Sequence, residues 1–445
     1  MNTAAVEIMD VSQNRQNDML PAQKIIGVIG CGYVGLPLAF SAVSSGYACL
    51  GFDIDESRVQ EINSGNHPHS ILNSEQCKVL TDGGFKASTD FSKIRECDVV
   101  IVCVPTPIGV HKEPILDHII NAVSSVSAHL KYGVLLSLES TTWPGTTEDV
   151  ICDLLIKDGH EIGKSVYVAY SPEREDPGNL IFSTSSIPKI VSGVSQKCLE
   201  FASEFYDSIV DVIVPINCVR TAEMTKIVEN IHRLVNIGLV NELKVVAAKF
   251  GIDIYDVIEA AKTKPFGFSA YYPGPGVGGH CIPVDPHYLT WKAKEYGLEM
   301  RMIDAASQIN QDMPRFVSTR VIEALNDIGK AISGSQILLL GLTYKKNIAD
   351  CRDSPSIEIL KKLNSMSGDI YYSDPYLPHI QIEDDNFQST FESVQLTKTV
   401  LNGADIVALL TDHDDFDYQL ISEASSLIID TRGRFTPIKK KILRA

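Results

Sequence analysis

One stretch near the start of the chain leaves little freedom in how it folds: Lys24-Ile-Ile-Gly-Val-Ile-Gly-Cys-Gly-Tyr-Val-Gly-Leu-Pro-Leu-Ala-Phe40. The apolar run from Ile25 to Ile29 reads as a buried strand. It enters Gly30-x-Gly32-x-x-Gly35, a helical pattern to about Ser45, and a second strand, Ala48 to Ile54, with Asp53 near its end. A lone GxGxxG says little. Between a strand and a helix, with an acid about 20 positions on, it specifies a dinucleotide-binding unit. Gly30 permits the tight turn, Gly32 lets a pyrophosphate approach the backbone at the helix N-terminus, and Gly35 lets helix and strand pack closely. Tyr33 and Val34 belong to the same turn and are expected to touch the cofactor. Asp53 is placed to accept from the adenosine ribose hydroxyls, which favours NAD over NADP. Arg58 weakens that preference, since an arginine there suits a 2′-phosphate.

The pattern continues downstream. Asp98-Val-Val-Ile-Val-Cys-Val-Pro-Thr-Pro107 is an almost unbroken apolar run, as a parallel strand covered on both faces requires. Val134 to Pro144 and Ser165 to Glu175 repeat it. In open α/β sheets ligands bind beyond the carboxyl ends of the strands. That rim holds Thr106, Thr141, Thr142 and Glu173, with Arg174 beside Glu173. Thr141 and Thr142 read equally as turn residues, and Glu173 as a solvated acid. A helix from about Val219 to Phe250, closed by Gly251, follows. At 1.5 Å per residue it spans roughly 48 Å, so it joins domains or builds a subunit interface. Lys226, Asn230 and Arg233 share one face of it. A polar stripe is ordinarily a solvated face. A lysine held on a rigid helix is also placed to stabilise an oxyanion.

The last third repeats the strand pattern in Gln336–Lys346, Asp369–Pro375, Asp405–Thr411 and Ser426–Arg432, without the GxGxxG. Lys345, Lys346, Arg352 and Arg432 fall in its loops, and such cations suit a nucleotide diphosphate. The expected fold class is α/β, two doubly wound Rossmann-like domains joined by a long central helix. Residues 1–23 are expected to form a flexible arm, 24–215 the dinucleotide domain, 216–328 a central helical and dimerisation domain, and 329–445 the second nucleotide domain.

Between the helix and the last third lies Tyr272-Pro-Gly-Pro-Gly-Val-Gly-Gly-His-Cys-Ile-Pro-Val-Asp-Pro286. Its prolines and glycines exclude helix and strand. Cys281 is therefore fixed by stiff turns, just before a helix that Asp285 caps and Pro286 opens, running to about Tyr296 and stopped by Gly297. The positive helix end favours a thiolate; the other reading of such a cysteine is a small buried hydrophobe. The chain's ten cysteines show no metal-type or disulfide spacing, and Cys97 and Cys103 are expected along one strand. A reducing cytoplasm is the corresponding expectation. His280, His287 and Cys281 do not make a metal site. A formal charge of -17 excludes a nucleic-acid partner, and no apolar stretch is long enough for a membrane span.

Taken in order, GCGYVGLPLA, VCVPTP, ESTTWPGTT, YSPERE, TAEMTKIVEN, GPGVGGHCIPVDP and GLTYKKNIADCRDSP resemble the nucleotide-sugar 6-dehydrogenase family over about residues 24–435. The resemblance implies NAD on the first domain and a UDP-sugar on the second. It also implies oxidation of the sugar C6 alcohol to a carboxylate, through a thiohemiacetal and a thioester on Cys281, in surface polysaccharide biosynthesis. Lys226 matches the family's oxyanion-steadying lysine, with Asn230 beside it. Asp285 matches an acid assisting proton transfer, a role compatible with its capping position. Glu173 matches the acid of thioester hydrolysis, and Thr142 the hydroxyl that places its water. Lys345 matches a substrate-binding lysine, Arg352 an arginine near the cofactor, and Arg432 an arginine near the substrate. Arg174, Arg233, Lys264, Tyr271, Tyr272 and Gly278 complete the implied substrate contacts. Like the family, the chain is expected to form a homodimer or higher homo-oligomer.

The run Tyr170–Gly178, the helix segment Asn230–Glu242 and Lys262-Thr-Lys-Pro-Phe-Gly-Phe268 look like the N-acetylhexosamine branch. They favour UDP-N-acetyl-D-glucosamine over UDP-N-acetyl-D-mannosamine or UDP-glucose. His232 stands where that branch commonly has an aromatic. A protein that binds NAD and a nucleotide sugar without turnover is the alternative of another class, and the intact Cys281, Lys226 and Glu173 speak against it.

Overall fold

A computed structural model gives the fold and describes residues 24–65, 72–174, 185–366, 368–384, 387–438 and 441–445. The expected N-terminal arm, and residues 175–178 of the run beginning at Tyr170, lie outside the described residues. The chain forms two compact units. One runs to Glu229 and takes in His287–Lys292; the other comprises Asn230–Pro286 and Ala293–Ala445.

The first unit is built on β1 (Ile25–Ile29), β2 (Ala48–Phe52), β3 (Lys86–Ser88), β4 (Val99–Val102), β5 (Val134–Leu138), β6 (Val166–Tyr170), β7 (Lys189–Gly193) and β8 (Ile213–Ile216). They make one eight-stranded sheet in the order β3-β2-β1-β4-β5-β6-β7-β8. Every pair is parallel except β6 with β7. The first six places follow the strand order of dinucleotide-binding folds. Ile29 is level with both Phe52 and Val102, so β1, β2 and β4 end together beneath the glycine turn. Helices Gly35–Ser44 and Gln196–Asp207 contribute Leu36, Leu38, Leu199 and Phe205 to the core around these strands. All four residues of β4 and all five of β5 are buried, which is why these strands read as continuous apolar runs.

The second unit carries β9 (Gln336–Leu340), β10 (Asp369–Ser373), β11 (His379–Asp384), β12 (Phe387–Glu392), β13 (Ile406–Leu409), β14 (Ile428–Asp430) and β15 (Ile442–Arg444). Five of these form a sheet in the order β10-β9-β13-β14-β15, and β11 and β12 form a separate hairpin. The fold class is the one expected: α/β, with two Rossmann-like sheets and a long joining helix, Val219–Phe250, of 32 residues. Gly251 ends that helix at φ 69°, the left-handed conformation of a glycine stop.

The two sheets share a device at their first turn. In the first unit Asp53 accepts from the Cys31 N–H at 2.9 Å, and the Gly30 N–H reaches Phe52 O at 2.8 Å. In the second, Asp374 accepts from the Leu342 N–H at 2.7 Å, and the Gly341 N–H reaches Ser373 O at 2.9 Å. Gly30 and Gly341 both have positive φ, 92° and 80°. An acid at the end of the second strand thus pins the turn after the first in both.

Three local expectations are corrected. The polar stripe of the long helix is not a solvated face: Lys226 and Asn230 are buried, and only Arg233 is exposed. Cys97 and Cys103 do not share a strand but bracket β4. Asp285 is the first helical residue of Asp285–Lys294 rather than its cap, because its N–H already bonds Cys281 O at 2.8 Å and the turn winds straight into the helix. The β11–β12 hairpin went unanticipated.

A Cβ added at Gly35 would lie 1.9 Å from Gly30 O, a backbone atom with no freedom to yield. Gly35→Ala is therefore expected to destabilise the protein by about 3 kcal/mol, the upper end of overpacking costs. Urea unfolding measures this, and an unchanged midpoint would contradict the close approach of helix and strand.

Candidate active site

The glycine turn divides its glycines by purpose. Cβ atoms at Gly30 and Gly35 would strike Cys103 O at 2.5 Å and Gly30 O at 1.9 Å, so those two are required by the protein itself. At Gly32 a Cβ would meet only an Arg58 nitrogen at 4.0 Å. The space over Gly32 is left open by the chain, which fits a ligand's close approach there. Asp53 is buried and already accepts from Cys31 and, at 3.0 Å, from the Asp55 N–H. Arg58 pairs with it at 3.6 Å and is half exposed, so the cation the sequence pointed to is held against the acid.

Farther along the same rim, Val34, Glu173 and Arg174 line one recess with Glu139 and Lys189. Glu139 and Lys189 form a buried pair at 2.8 Å, and Tyr206 donates to Glu139 at 2.6 Å. Arg174 is tied to Glu229 at 2.6 Å and to Pro188 O at 2.8 Å. The buried Lys226 ammonium donates to Glu173 O at 2.5 Å and lies 3.5 Å from its carboxylate. The structure thus brings Lys226 and Glu173 together. Thr106 and Thr141 are partly exposed, whereas Thr142 is fully buried and donates to the Thr146 hydroxyl. The hydroxyl expected to place a water is committed within the turn.

That turn is anchored by a residue the sequence reading missed. Glu223, one helical turn before Lys226, accepts from the Gly145 N–H at 2.5 Å, the Thr147 N–H at 2.9 Å and the Thr147 hydroxyl at 2.7 Å. Burial lifts its carboxyl to about 7, against the pull of these donors. An acid at i−3 from a candidate lysine was the available signal.

In the second unit the glycine-rich stretch is an extended strap fastened at successive points. Asn241 accepts from the Gly274 N–H at 2.9 Å and Lys244 donates to Gly274 O at 2.8 Å. Tyr255 donates to Pro273 O at 3.1 Å and Thr431 O at 2.7 Å. Gly278 has no room for a side chain, since a Cβ would be 2.6 Å from Asp353 O. Packing alone therefore accounts for a glycine that the sequence reading gave to the substrate. The Gly279 N–H bonds Arg352 O at 3.3 Å. Arg352 grips Asp350 through two nitrogens, at 2.9 and 2.6 Å, and reaches His280 at 3.2 Å. Burial and the neighbouring guanidinium lower the His280 pKa, which keeps that ring neutral beside Cys281. At the end of the strap Cys281 is exposed, and Asn230 donates to the Asp285 carboxylate at 2.5 Å.

The remaining candidates differ in setting. Arg432 donates to Leu410 O at 2.7 Å and crowds the Cα of Gly274. Lys345 O accepts from Thr343 at 2.9 Å, while Lys346 pairs with Asp414 at 3.1 Å. Tyr271 bonds His232 at 2.9 Å, and Tyr272 bonds Glu259 and Lys262. Lys264 lies over the Phe266 ring at 5.1 Å. Arg233 makes no hydrogen bond or ion pair among the described residues.

Burial separates the cysteines. It pushes Cys31, Cys97 and Cys152 up to about 12 and raises Cys49 and Cys103, so these thiols are inert at neutral pH. Only Cys218 and Cys281 are exposed, and hydrogen bonds from Thr221 lower the Cys218 pKa. Among the described residues there is no cluster of metal-binding side chains, and no helix is long and apolar enough to cross a membrane.

Comparison with known proteins gives this geometry a context. The chain matches the UDP-glucose/GDP-mannose dehydrogenase family over its NAD binding domain (residues 24–210), its central domain (220–312) and its UDP binding domain (338–437). UDP-N-acetyl-D-mannosamine dehydrogenase of Pyrococcus horikoshii is 35% identical over 92% of this chain and 95% of its own. UDP-N-acetyl-D-glucosamine 6-dehydrogenase of Salmonella typhi is 36% identical over 79% of this chain and 82% of its own. A solved structure of the Pyrococcus horikoshii UDP-D-ManNAc dehydrogenase superposes with a TM-score of 0.83 at 32% identity, covering 94% of this chain and 98% of that one.

NAD is the cofactor of such a domain, and the Asp53–Arg58 pair makes a direct prediction. Asp53→Asn keeps the acceptor for Cys31 but removes the charge facing Arg58. NAD affinity is expected to fall about tenfold, a loss of about 1.4 kcal/mol, while binding of NADP strengthens as Arg58 is released. Titration of protein fluorescence with each cofactor checks this; unchanged discrimination would remove Asp53 from cofactor choice.

Proposed function

The chain belongs to the UDP-glucose/GDP-mannose dehydrogenase family and is an NAD-dependent nucleotide-sugar dehydrogenase; from that premise we propose that it oxidises C6 of UDP-N-acetyl-D-mannosamine to the corresponding uronic acid. The observation carrying the epimer is the near full-length likeness, in sequence and in structure, to a UDP-N-acetyl-D-mannosamine dehydrogenase. The local motifs alone favoured the gluco epimer. Those motifs lie in short loop and helix segments, whereas the likeness to the mannosamine enzyme extends over 92% of the chain. UDP-N-acetyl-D-glucosamine is kept as the second reading because a relative of that activity matches at 36%, though over less of the chain.

Alcohol to carboxylate is a four-electron oxidation in two hydride transfers, and NAD when bound supplies the acceptor. The aldehyde between them has to be held. The Cys281 sulfur adds to the C6 carbonyl carbon, and the carbonyl oxygen takes a proton to give a thiohemiacetal. Loss of its C6 hydride and hydroxyl proton leaves a thioester; water then releases the carboxylate and returns the thiol. The rigidly held Lys226 ammonium stabilises the oxyanion of each stage. Asn230 fixes Asp285, the turn after Cys281 and a route for the proton. Glu173 activates the water of hydrolysis. Lys345 and Arg432 take the diphosphate, a task for which a planar guanidinium is well shaped.

The long helix also supports self-association. Leu239, Leu243, Val246 and Phe250 recur at i, i+4, i+7 and i+11 and are 44 to 72% exposed. An apolar stripe of that length on a soluble enzyme needs cover, and a second copy of the same helix supplies it.

With NAD and UDP-N-acetyl-D-mannosamine, two NADH per sugar are expected, with slower turnover of the gluco epimer and little of UDP-glucose. One NADH would end the thioester reading; faster gluco turnover would reverse the epimer. Cys281→Ser is expected to reduce kcat at least 10³-fold, with NAD affinity kept, whereas Cys218→Ser, at the other exposed thiol, retains activity. Leu243→Glu should shift the mass measured by light scattering to that of a single chain.

A further inference from the structure

Lys244 is the least explained charged group in the second unit. It is 2% exposed. Its ammonium makes one hydrogen bond, to Gly274 O at 2.8 Å, and no ion pair among the described residues. An ammonium has three donors, and a buried cation without a counter-ion is normally avoided. The neighbours make its position more unusual. Arg432 crowds the other side of Gly274, with a guanidinium nitrogen 2.8 Å from where a Cβ would stand. Two cationic side chains therefore meet at one residue of the strap.

The charged groups around Lys244 are few. From the end of β14 come Arg432 and Asp430. Asp430 is already taken by Arg444 and by the N–H groups of Arg432 and Phe435. Arg444 also binds Asp253 at 2.9 Å. Helix Ile254–Lys262 presents the phenol of Tyr255, and helix Arg301–Asp327 the ring of Phe316, 5.5 Å from the ammonium nitrogen. On the long helix itself the neighbour at Gly274 is the uncharged Asn241. Burial and Arg432 bring the Lys244 pKa down to about 7. An amine in that setting still donates to Gly274 O when neutral, so losing its proton leaves the strap attached.

We propose that Lys244 is a proton-gated second cation of the nucleotide-sugar site, neutral while Arg432 faces no anion and protonated when the sugar nucleotide's diphosphate lies against Arg432. This rests on Arg432 being a diphosphate contact, as in the function proposed above. The anion offsets the repulsion from Arg432 and favours the charged lysine, so binding draws in a proton. Below about pH 7 the lysine is already charged and no uptake occurs. Above it, each pH unit weakens binding about tenfold until the pKa of the complex is passed. Lys244 touches the strap rather than the sugar, so it is a positioning and charge-supplying residue.

The test is isothermal calorimetry of UDP-N-acetyl-D-mannosamine and of its gluco epimer, without NAD, in two buffers of different ionisation enthalpy. The diphosphate diester does not titrate near neutrality, so any proton taken up belongs to the protein. At about pH 8 the wild type is expected to take up close to one proton per site, and at about pH 6 almost none. In Lys244→Met uptake at pH 8 vanishes and affinity becomes flat with pH, with a thermal midpoint scan confirming that the variant is folded. Binding without uptake in the wild type overturns the proposal and leaves the enzymatic reading standing. Uptake that persists in Lys244→Met assigns the proton elsewhere and overturns it too. If neither nucleotide sugar binds, the substrate reading fails along with it.

Discussion

The long helix Val219–Phe250 is buried on its polar side, and much of the molecule is arranged to satisfy that side. Lys226, Asn230, Asn241 and Lys244 follow helical spacing on one face, and all four are buried. Each polar group withdrawn from water requires a partner. Lys226 finds Glu173, Asn230 finds Asp285, and Asn241 and Lys244 divide the N–H and C=O of Gly274. Asn241 is in turn bonded to Asn310, which reaches Leu234 O. In one unit the first part of the helix holds the acid loop after β6, and in the other the part from Asn230 on holds the cysteine strap.

The opposite side of that helix carries the complement of this arrangement. With the polar face committed inward, the apolar residues Leu239, Leu243, Val246 and Phe250 are left outward. The usual amphipathic logic, apolar in and polar out, is only partly kept over this stretch, where Val240 and Ala247 are buried as well. The same arrangement accounts for the buried Lys226 and Asn230 and for the exposed apolar stripe.

Legibility in the sequence followed the range of the interaction. The glycine turn, the strand runs and the limits of the long helix depend on residues within a few positions of one another, and they appear where the pattern put them. The repetition of the first sheet in the last third was also visible, because Asp53 and Asp374 end corresponding strands. The candidate site was legible as a set of residues but not as an arrangement. Thr142 looked like a free hydroxyl at a strand end, yet its contact with Thr146 turns it inward. Gly278 reads as a ligand contact in the sequence, and only the structure shows that Asp353 O, Tyr344 and Pro355 leave no room for a side chain there. Glu223, Asn241 and Lys244 drew no attention, because their partners are 30 or more positions away. The β11–β12 hairpin escaped for another reason: β11 alternates (His379-Ile-Gln-Ile-Glu383), but its partner β12 has apolar residues only at Phe387 and Phe391, so no second strand stood out to pair with it.

What the sequence determined by itself was the chemistry available. It supplies a dinucleotide turn with Asp53, a thiol among prolines and glycines, and a lysine and an asparagine one helical turn apart. These follow from residue types at short spacing, where backbone geometry allows few alternatives. What only the tertiary structure decided was the state of those groups. The same lysine pattern would be solvated on a free helix, and here it is buried beside a carboxylate at Lys226 and beside an arginine at Lys244. Charge, protonation and access depend on what lies across the fold, and desolvation by distant segments is a quantity that no local pattern encodes.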